Sequence, residues 1–91
     1  MDQETKRKCQ QRLSRIEGQV RGVARMIDED RYCIDIMNQI AAVQAAMGKV
    51  EEELLRNHVS HCVENAITSG NADEQRKKVA ELIEVLGRKA R

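Results

Sequence analysis

From Tyr32 to Thr68 the chain contains no proline, and apolar residues run through it at Ile36, Ile40, Val43, Met47, Val50 and Leu54, with the stripe ending at His58. Steps of three and four residues match the α-helical period, not the alternation of a strand. Gly48 is the only weak helix former inside the stretch until Ser69-Gly70. The spacing therefore predicts one helix over roughly residues 32–68, far longer than an ordinary globular helix. A rod of that length with a continuous apolar stripe points to a coiled-coil-like oligomer core.

The flanking segments follow the same logic. Leu13, Ile16, Val20, Val23 and Ile27 mark an amphipathic helix over about residues 4–28. The polar cluster Asp28-Glu29-Asp30-Arg31 closes it, with Asp30 expected to cap the next helix. Gly70 reads as the C′ residue of the long helix. Asn71, with Glu74 three positions on, resembles a capping box opened by an unusual residue. It leads into a short third helix with Val79, Leu82, Ile83 and Leu86 facing inward.

Composition excludes most alternatives. The 91 residues include no Pro, Phe or Trp, and Tyr32 is the only aromatic, which leaves little from which to build a β-core. There is no internal repeat, linker or low-complexity tract. The expectation is an all-α protein with residues 1–91 forming a single domain. A chain this short and aromatic-poor buries little area alone, so oligomerisation is expected to supply the missing stability.

Net charge is only +1, yet residues 1–25 hold seven Lys or Arg against three acids. Lys8, Arg12 and Arg15 stand four and three apart on helix one, and Arg21 and Arg25 add a second pair. A local basic face on a near-neutral protein fits a polyanion. No short turn joins two short helices as in a helix-turn-helix, and no aromatics are available to stack single-stranded bases. The expected partner is double-stranded DNA, held by its phosphates and read by groove shape.

The thiols carry the remaining information. The beginning, MDQETKRKCQ, lacks the apolar stretch of a secretory leader, and no run approaches the length of a membrane span. A cytoplasmic protein with reduced cysteines and no membrane association is expected, in which Cys binds metal or senses redox change. His58 and Cys62 lie four apart on one helix face and can share an ion. Cys33 precedes His58 by 25 residues, about 37 Å along a helix rising 1.5 Å per residue. These groups cannot meet within one chain. They can meet if two long helices pack antiparallel about a two-fold axis, crossing near residues 46–47, where Ala41, Ala42, Ala45, Ala46 and Gly48 would let the backbones approach.

Two thiolates and an imidazole are soft donors, suited to Cu(I) or Zn(II). Zinc prefers four ligands, and His61 points about 100° away from Cys62 around the helix. A three-coordinate site of Cys33, His58 and Cys62 thus suits Cu(I). Cys9 is expected to be an incidental or secondary redox thiol. A Cys–His pair could serve an enzyme, but no third orienting residue and no Gly-rich loop accompany it, so no catalytic role is expected. A copper-binding helical module that does not bind DNA is the other alternative, and it would not need the basic stripe.

The run RLSRIEGQVRGVARMIDEDRYC, followed by IAAVQAAM and NHVSHCVENAITSG, resembles the copper-sensitive operon repressor family, CsoR, from about Lys8 to Leu86. The resemblance implies a three-helix protomer with a long middle helix. It also implies an antiparallel dimer forming a four-helix bundle, and a homotetramer that is a dimer of dimers. The implied activity is repression by binding operator DNA when metal-free and releasing it when Cu(I) binds. Cys33, His58 and Cys62 fall on the family's copper ligands. Tyr32 falls on its second-sphere tyrosine, and either Asp73 or Glu74 would supply the accompanying acid. The DNA-binding patch extends to Lys49. Relatives sense nickel or cobalt, formaldehyde, or persulfides. His58 favours copper, whereas the pair Cys33 and Cys62 leaves a persulfide-sensing repressor as an alternative.

Overall fold

The computed structural model describes residues 1–89, and among them every regular element is helical. Helix α1 spans Gln3–Asp28 and α2 spans Cys33–Asn57. A π-helical segment, His58–Val63, and a short α3, Glu64–Thr68, follow α2 without a break in helical backbone. Helix α4 covers Ala72–Lys89. The expected three-helix chain with a long middle helix is therefore present. The middle helix changes its winding before it ends.

Local chemistry accounts for the element boundaries. Asp2 opens α1: its carboxylate accepts from the Thr5 backbone N–H at 2.7 Å and from the Thr5 hydroxyl at 3.1 Å. This satisfies a donor that the first helical turn would otherwise leave free. At the other end Asp30 adopts a left-handed φ of 53°. The Asp30 N–H donates to the Ile27 carbonyl at 3.1 Å and the Arg31 N–H to the Met26 carbonyl at 3.0 Å. That pair of bonds is a Schellman closure with Asp30 at C′. The expectation that Asp30 caps the next helix is thus corrected: it ends α1 and does not begin α2. Aspartate can take either role, and the short connection to α2 decides in favour of the left-handed one.

Gly70 does what its type suggests, adopting φ 74° just beyond α3. Asn71 then caps α4, its Oδ1 accepting from the Glu74 N–H at 3.1 Å. The capping box is only half made, because the Asn71 N–H donates to Ser69 Oγ at 3.1 Å, while the Glu74 carboxylate faces Lys78 at 3.9 Å.

The described residues group into two compact units, Asp2–Leu55 and the chain from Arg56 onward with Met1. In the first, Cys9, Ile16 and Val50 are buried, with Val43 and Ala46 packed against them. These residues select one line of each stripe: Cys9 and Ile16, seven apart, on α1, and Val43 and Val50, also seven apart, on α2. The neighbouring lines, Leu13, Val20 and Ile27 on α1 and Ile40, Met47 and Leu54 on α2, stay exposed. One protomer therefore satisfies only half of its apolar pattern. Cys9 is 6% exposed, so it is a small core hydrophobe and not an accessible redox thiol.

In the second unit α4 packs against α3 and the π-helical segment. Ala66 is buried, and Gln75 donates from Nε2 to the Ile67 carbonyl at 3.1 Å. Val79, Ile83 and Leu86 are exposed, with Ile83 at 64%, although their spacing anticipated an inward face. Within one chain too little surrounds α4 to cover them.

Candidate metal centre and nucleic-acid interface

Cys33 occupies the first position of α2, where its thiol is free and exposed. It lines an open pocket with Ile27, Asp30, Arg31, Ile36 and Met37. Tyr32, just before it, is exposed and contributes its carbonyl as acceptor for the Ile36 N–H at 3.2 Å. His58 and Cys62 both lie in the π-helical segment, His58 half-buried and Cys62 free and exposed. A π turn closes i→i+5 hydrogen bonds, so it holds about one residue more than the 3.6 of an α turn. Residues four apart still fall on one side of the helix, and the His–Cys pair keeps its common face. Single π turns occur often at functional sites. Nothing in the residue types of HVSHCV announced this one.

The donor set fits a soft monovalent metal: two free exposed thiols and one imidazole. Among the described residues, no group of three or more His, Cys, Asp or Glu within the chain could hold a metal ion.

The surroundings of His58 contain a residue that the sequence reading did not single out. Glu81 on α4 places Oε2 4.0 Å from His58 Nε2. The same oxygen lies 3.6 Å from Lys78 Nζ, and Lys78 in turn lies 3.9 Å from Glu74 Oε1. Asp73 and Glu74 sit in the first turn of α4, and Glu74 reaches this group of charges through Lys78. The signal that could have found Glu81 is the spacing of 74, 78 and 81, which puts all three residues on one face of α4.

A second site forms between α1 and α2 within the first unit. Arg12, Arg15, Ile16 and Gln19 from α1 and Ala42, Ala45, Ala46 and Lys49 from α2 line a groove of about 340 Å³. The alanines keep its floor shallow while three cations surround it. Three of the four residues expected to contact DNA thus share one groove. Lys8 is exposed one turn before Arg12, outside that lining. Arg7 is otherwise engaged: its Nη2 lies 2.7 Å from Glu4 Oε1. This hydrogen bond holds the Glu4 carboxyl below its ordinary range and raises the Arg7 guanidinium.

Residues 5–88 match the sequence profile of the metal-sensitive transcriptional repressors. The copper-sensing transcriptional repressor CsoR of Bacillus subtilis is 53% identical over 74 residues, 81% of this chain and 70% of that one. The copper-sensing transcriptional repressor RicR of Mycobacterium tuberculosis is 58% identical over 59 residues, 65% of this chain and 62% of that one. Among solved structures, the copper-sensing repressor CsoR with Cu(I) from Geobacillus thermodenitrificans superposes with a TM-score of 0.89 at 43% identity. That superposition covers 100% of this chain and 92% of the other.

Proposed function

The chain belongs to the metal-sensitive transcriptional repressor family, and from that premise we propose that it is a cytoplasmic, Cu(I)-responsive repressor with no catalytic role. It acts as one regulatory domain that holds double-stranded operator DNA when metal-free and releases it when Cu(I) occupies a site made by Cys33 of one subunit and His58 and Cys62 of another. The observation that carries this reading is the donor set itself. Two free exposed thiols and an imidazole are present, and the 25-residue spacing of Cys33 and His58, about 37 Å if wound as one helix, suits a site closed by a second, antiparallel chain.

An antiparallel pairing is supported by the unused apolar lines. Leu13, Val20 and Ile27, with Ile40, Met47 and Leu54, remain exposed on the lone protomer. Burying such a side chain completely is worth roughly 1.5–3 kcal/mol; covering the exposure that remains on these residues gives a part of that for each, and a two-fold dimer counts each residue twice. A homotetramer built from two such dimers would take up α4's exposed Val79, Ile83 and Leu86. Helix-forming chains of this kind assemble through such faces.

The residues divide the work as follows. Cu(I), when bound, supplies a soft centre that takes two thiolates and one imidazole at low coordination number. Cys33 and Cys62 would bind as thiolates, so loading of the site releases their protons. His58 offers Nδ1 to the site because Nε2 faces Glu81. A histidine held through one nitrogen presents the other as a fixed N–H donor, and the partner that accepts from it sets the ring's orientation. Glu81, whose Oε2 lies 4.0 Å from Nε2 in the metal-free chain, would become that acceptor on loading, and Tyr32, beside Cys33, would complete the surroundings of the site. Arg12, Arg15 and Lys49, with Lys8 beside them, hold the phosphates. The link from site to DNA runs through α4. Coupling of this kind is typically worth about 1–3 kcal/mol, so metal weakens DNA binding roughly 5–150-fold.

The persulfide reading uses Cys33 and Cys62 alone, and both thiols are accessible. Operator binding titrated separately with anaerobic Cu(I) and with a persulfide donor separates the two. Release at low equivalents of Cu(I), with no release by persulfide, is the expected result. Release by persulfide alone would overturn the copper reading.

A further inference from the structure

Glu81 has one carboxylate oxygen between two competing donors. Its Oε2 lies 3.6 Å from Lys78 Nζ and 4.0 Å from His58 Nε2. The imidazole contact is about 1 Å beyond hydrogen-bond range, and the ammonium is the nearer partner. Lys78 is also the least exposed member of the cluster: its side chain is 23% exposed, against 32% for His58, 42% for Glu81 and 43% for Glu74. Glu74 Oε1, at 3.9 Å, steadies the ammonium from the other side.

The two contacts of Glu81 differ in what they connect. Lys78 and Glu81 are three apart on α4, so their pairing is internal to that helix and indifferent to what α4 packs against. His58 stands on the π-helical segment, so a bond from His58 to Glu81 ties α4 to the element that carries the metal ligands.

We infer that Lys78 is a positioning residue that holds the Glu81 carboxylate on α4's own surface in the metal-free protein, and so favours the DNA-binding arrangement. When His58 is fixed through Nδ1, its Nε2–H points at Glu81 and must draw Oε2 closer, against the hold of Lys78. The lysine therefore sets how readily loading of the site is passed to α4. This inference rests on the proposed repressor function and names its internal brake.

Lys78→Met tests it, because methionine keeps an unbranched apolar stem while removing the charge. Two quantities are read: operator affinity of the metal-free protein across a salt series, and Cu(I) affinity of DNA-free protein by competition with a chromophoric chelator. The expected result is operator binding weakened by about two- to five-fold, the scale of a part-exposed ion pair, with an unchanged salt slope. Cu(I) affinity should rise, by at most about the same factor, because a change that disfavours the DNA-binding arrangement favours the one that binds metal. Lys78→Arg should restore both values towards wild type. In a Glu81→Gln background, Lys78→Met should have no further effect on either quantity. Weaker operator binding with a shallower salt slope and unchanged Cu(I) affinity would make Lys78 a phosphate contact and overturn the inference. No change in either quantity would overturn it as well. Wild-type protein that keeps its operator at saturating Cu(I) would instead overturn the repressor reading on which the inference stands.

Discussion

Arg15→Ala removes one of three cations around the α1–α2 groove, where Arg12, Arg15 and Lys49 converge on an alanine floor. If each cation neutralises one DNA phosphate, each contributes about 0.9 to the slope of log affinity against log salt. Between about 50 and 200 mM salt, one such contact is worth roughly 3.5-fold in affinity, and two symmetry-related contacts about 12-fold. Arg15→Ala should therefore lower affinity at low salt and lessen the loss of affinity on adding salt by that factor. The effect should be the same on operator and unrelated duplex, since phosphates carry no sequence. Fluorescence anisotropy of a labelled duplex over a salt series measures both. Arg7→Ala is the matched control: it removes the same charge from α1, but its guanidinium is held by Glu4 and does not line the groove. Wild-type slopes in Arg12→Ala, Arg15→Ala and Lys49→Ala alike would remove this groove from the DNA interface. An equal loss of slope in Arg7→Ala would reduce the effect to bulk charge.

Other expectations concern the site and the fold. His58→Ala should still take Cu(I) through two thiolates yet release operator poorly, and full release at low equivalents would exclude His58 as the link to α4. Thiol labelling of the native, metal-free protein should modify Cys33 and Cys62 quickly and Cys9 only after unfolding, given its burial; three fast thiols would refute the α1–α2 core described above. Asn71→Ala removes the cap on the Glu74 N–H and should destabilise by about 1 kcal/mol in denaturation at fixed protomer concentration. Asp30→Gly relieves a left-handed non-glycine residue that costs roughly 1–2 kcal/mol, offset by about 0.5–1 kcal/mol of unfolded-state entropy. A small net stabilisation is expected, while Asp30→Val should destabilise, and the opposite order would refute the Schellman assignment.

The sequence made some features readable because single residue types decide them. The absence of proline over 32–68 gave the long helical run, and Gly70 gave its end. Asp30 was ambiguous because aspartate serves both as a cap and as a left-handed residue, and only the closing hydrogen bonds to Met26 and Ile27 choose between them. The π turn at His58–Val63 has no residue signature, since it is a property of backbone winding. The apolar stripes were legible as stripes, but not which line within each would be used inside the protomer. That choice moved Cys9 into the core and left Leu13, Val20 and Ile27 outside it. Glu81 was not singled out because the family resemblance pointed to Asp73 or Glu74, in the first turn of α4, whereas one face of that helix also carries the residue seven positions beyond Glu74. The clustering of Arg12, Arg15 and Lys49 followed directly from how α1 lies on α2.

The unused apolar lines also make abundance a structural variable. In the proposed dimer, a protomer that leaves Ile40, Met47 and Leu54 partly exposed would gain part of its folding free energy from association, so its stability would follow mass action. Mixed assemblies follow the same rule. A chain carrying a broken copper site but intact apolar lines would still be recruited into complexes with normal subunits. In a cell making both, the defective copy would act dominantly, because the surface that stabilises the fold also selects its companions.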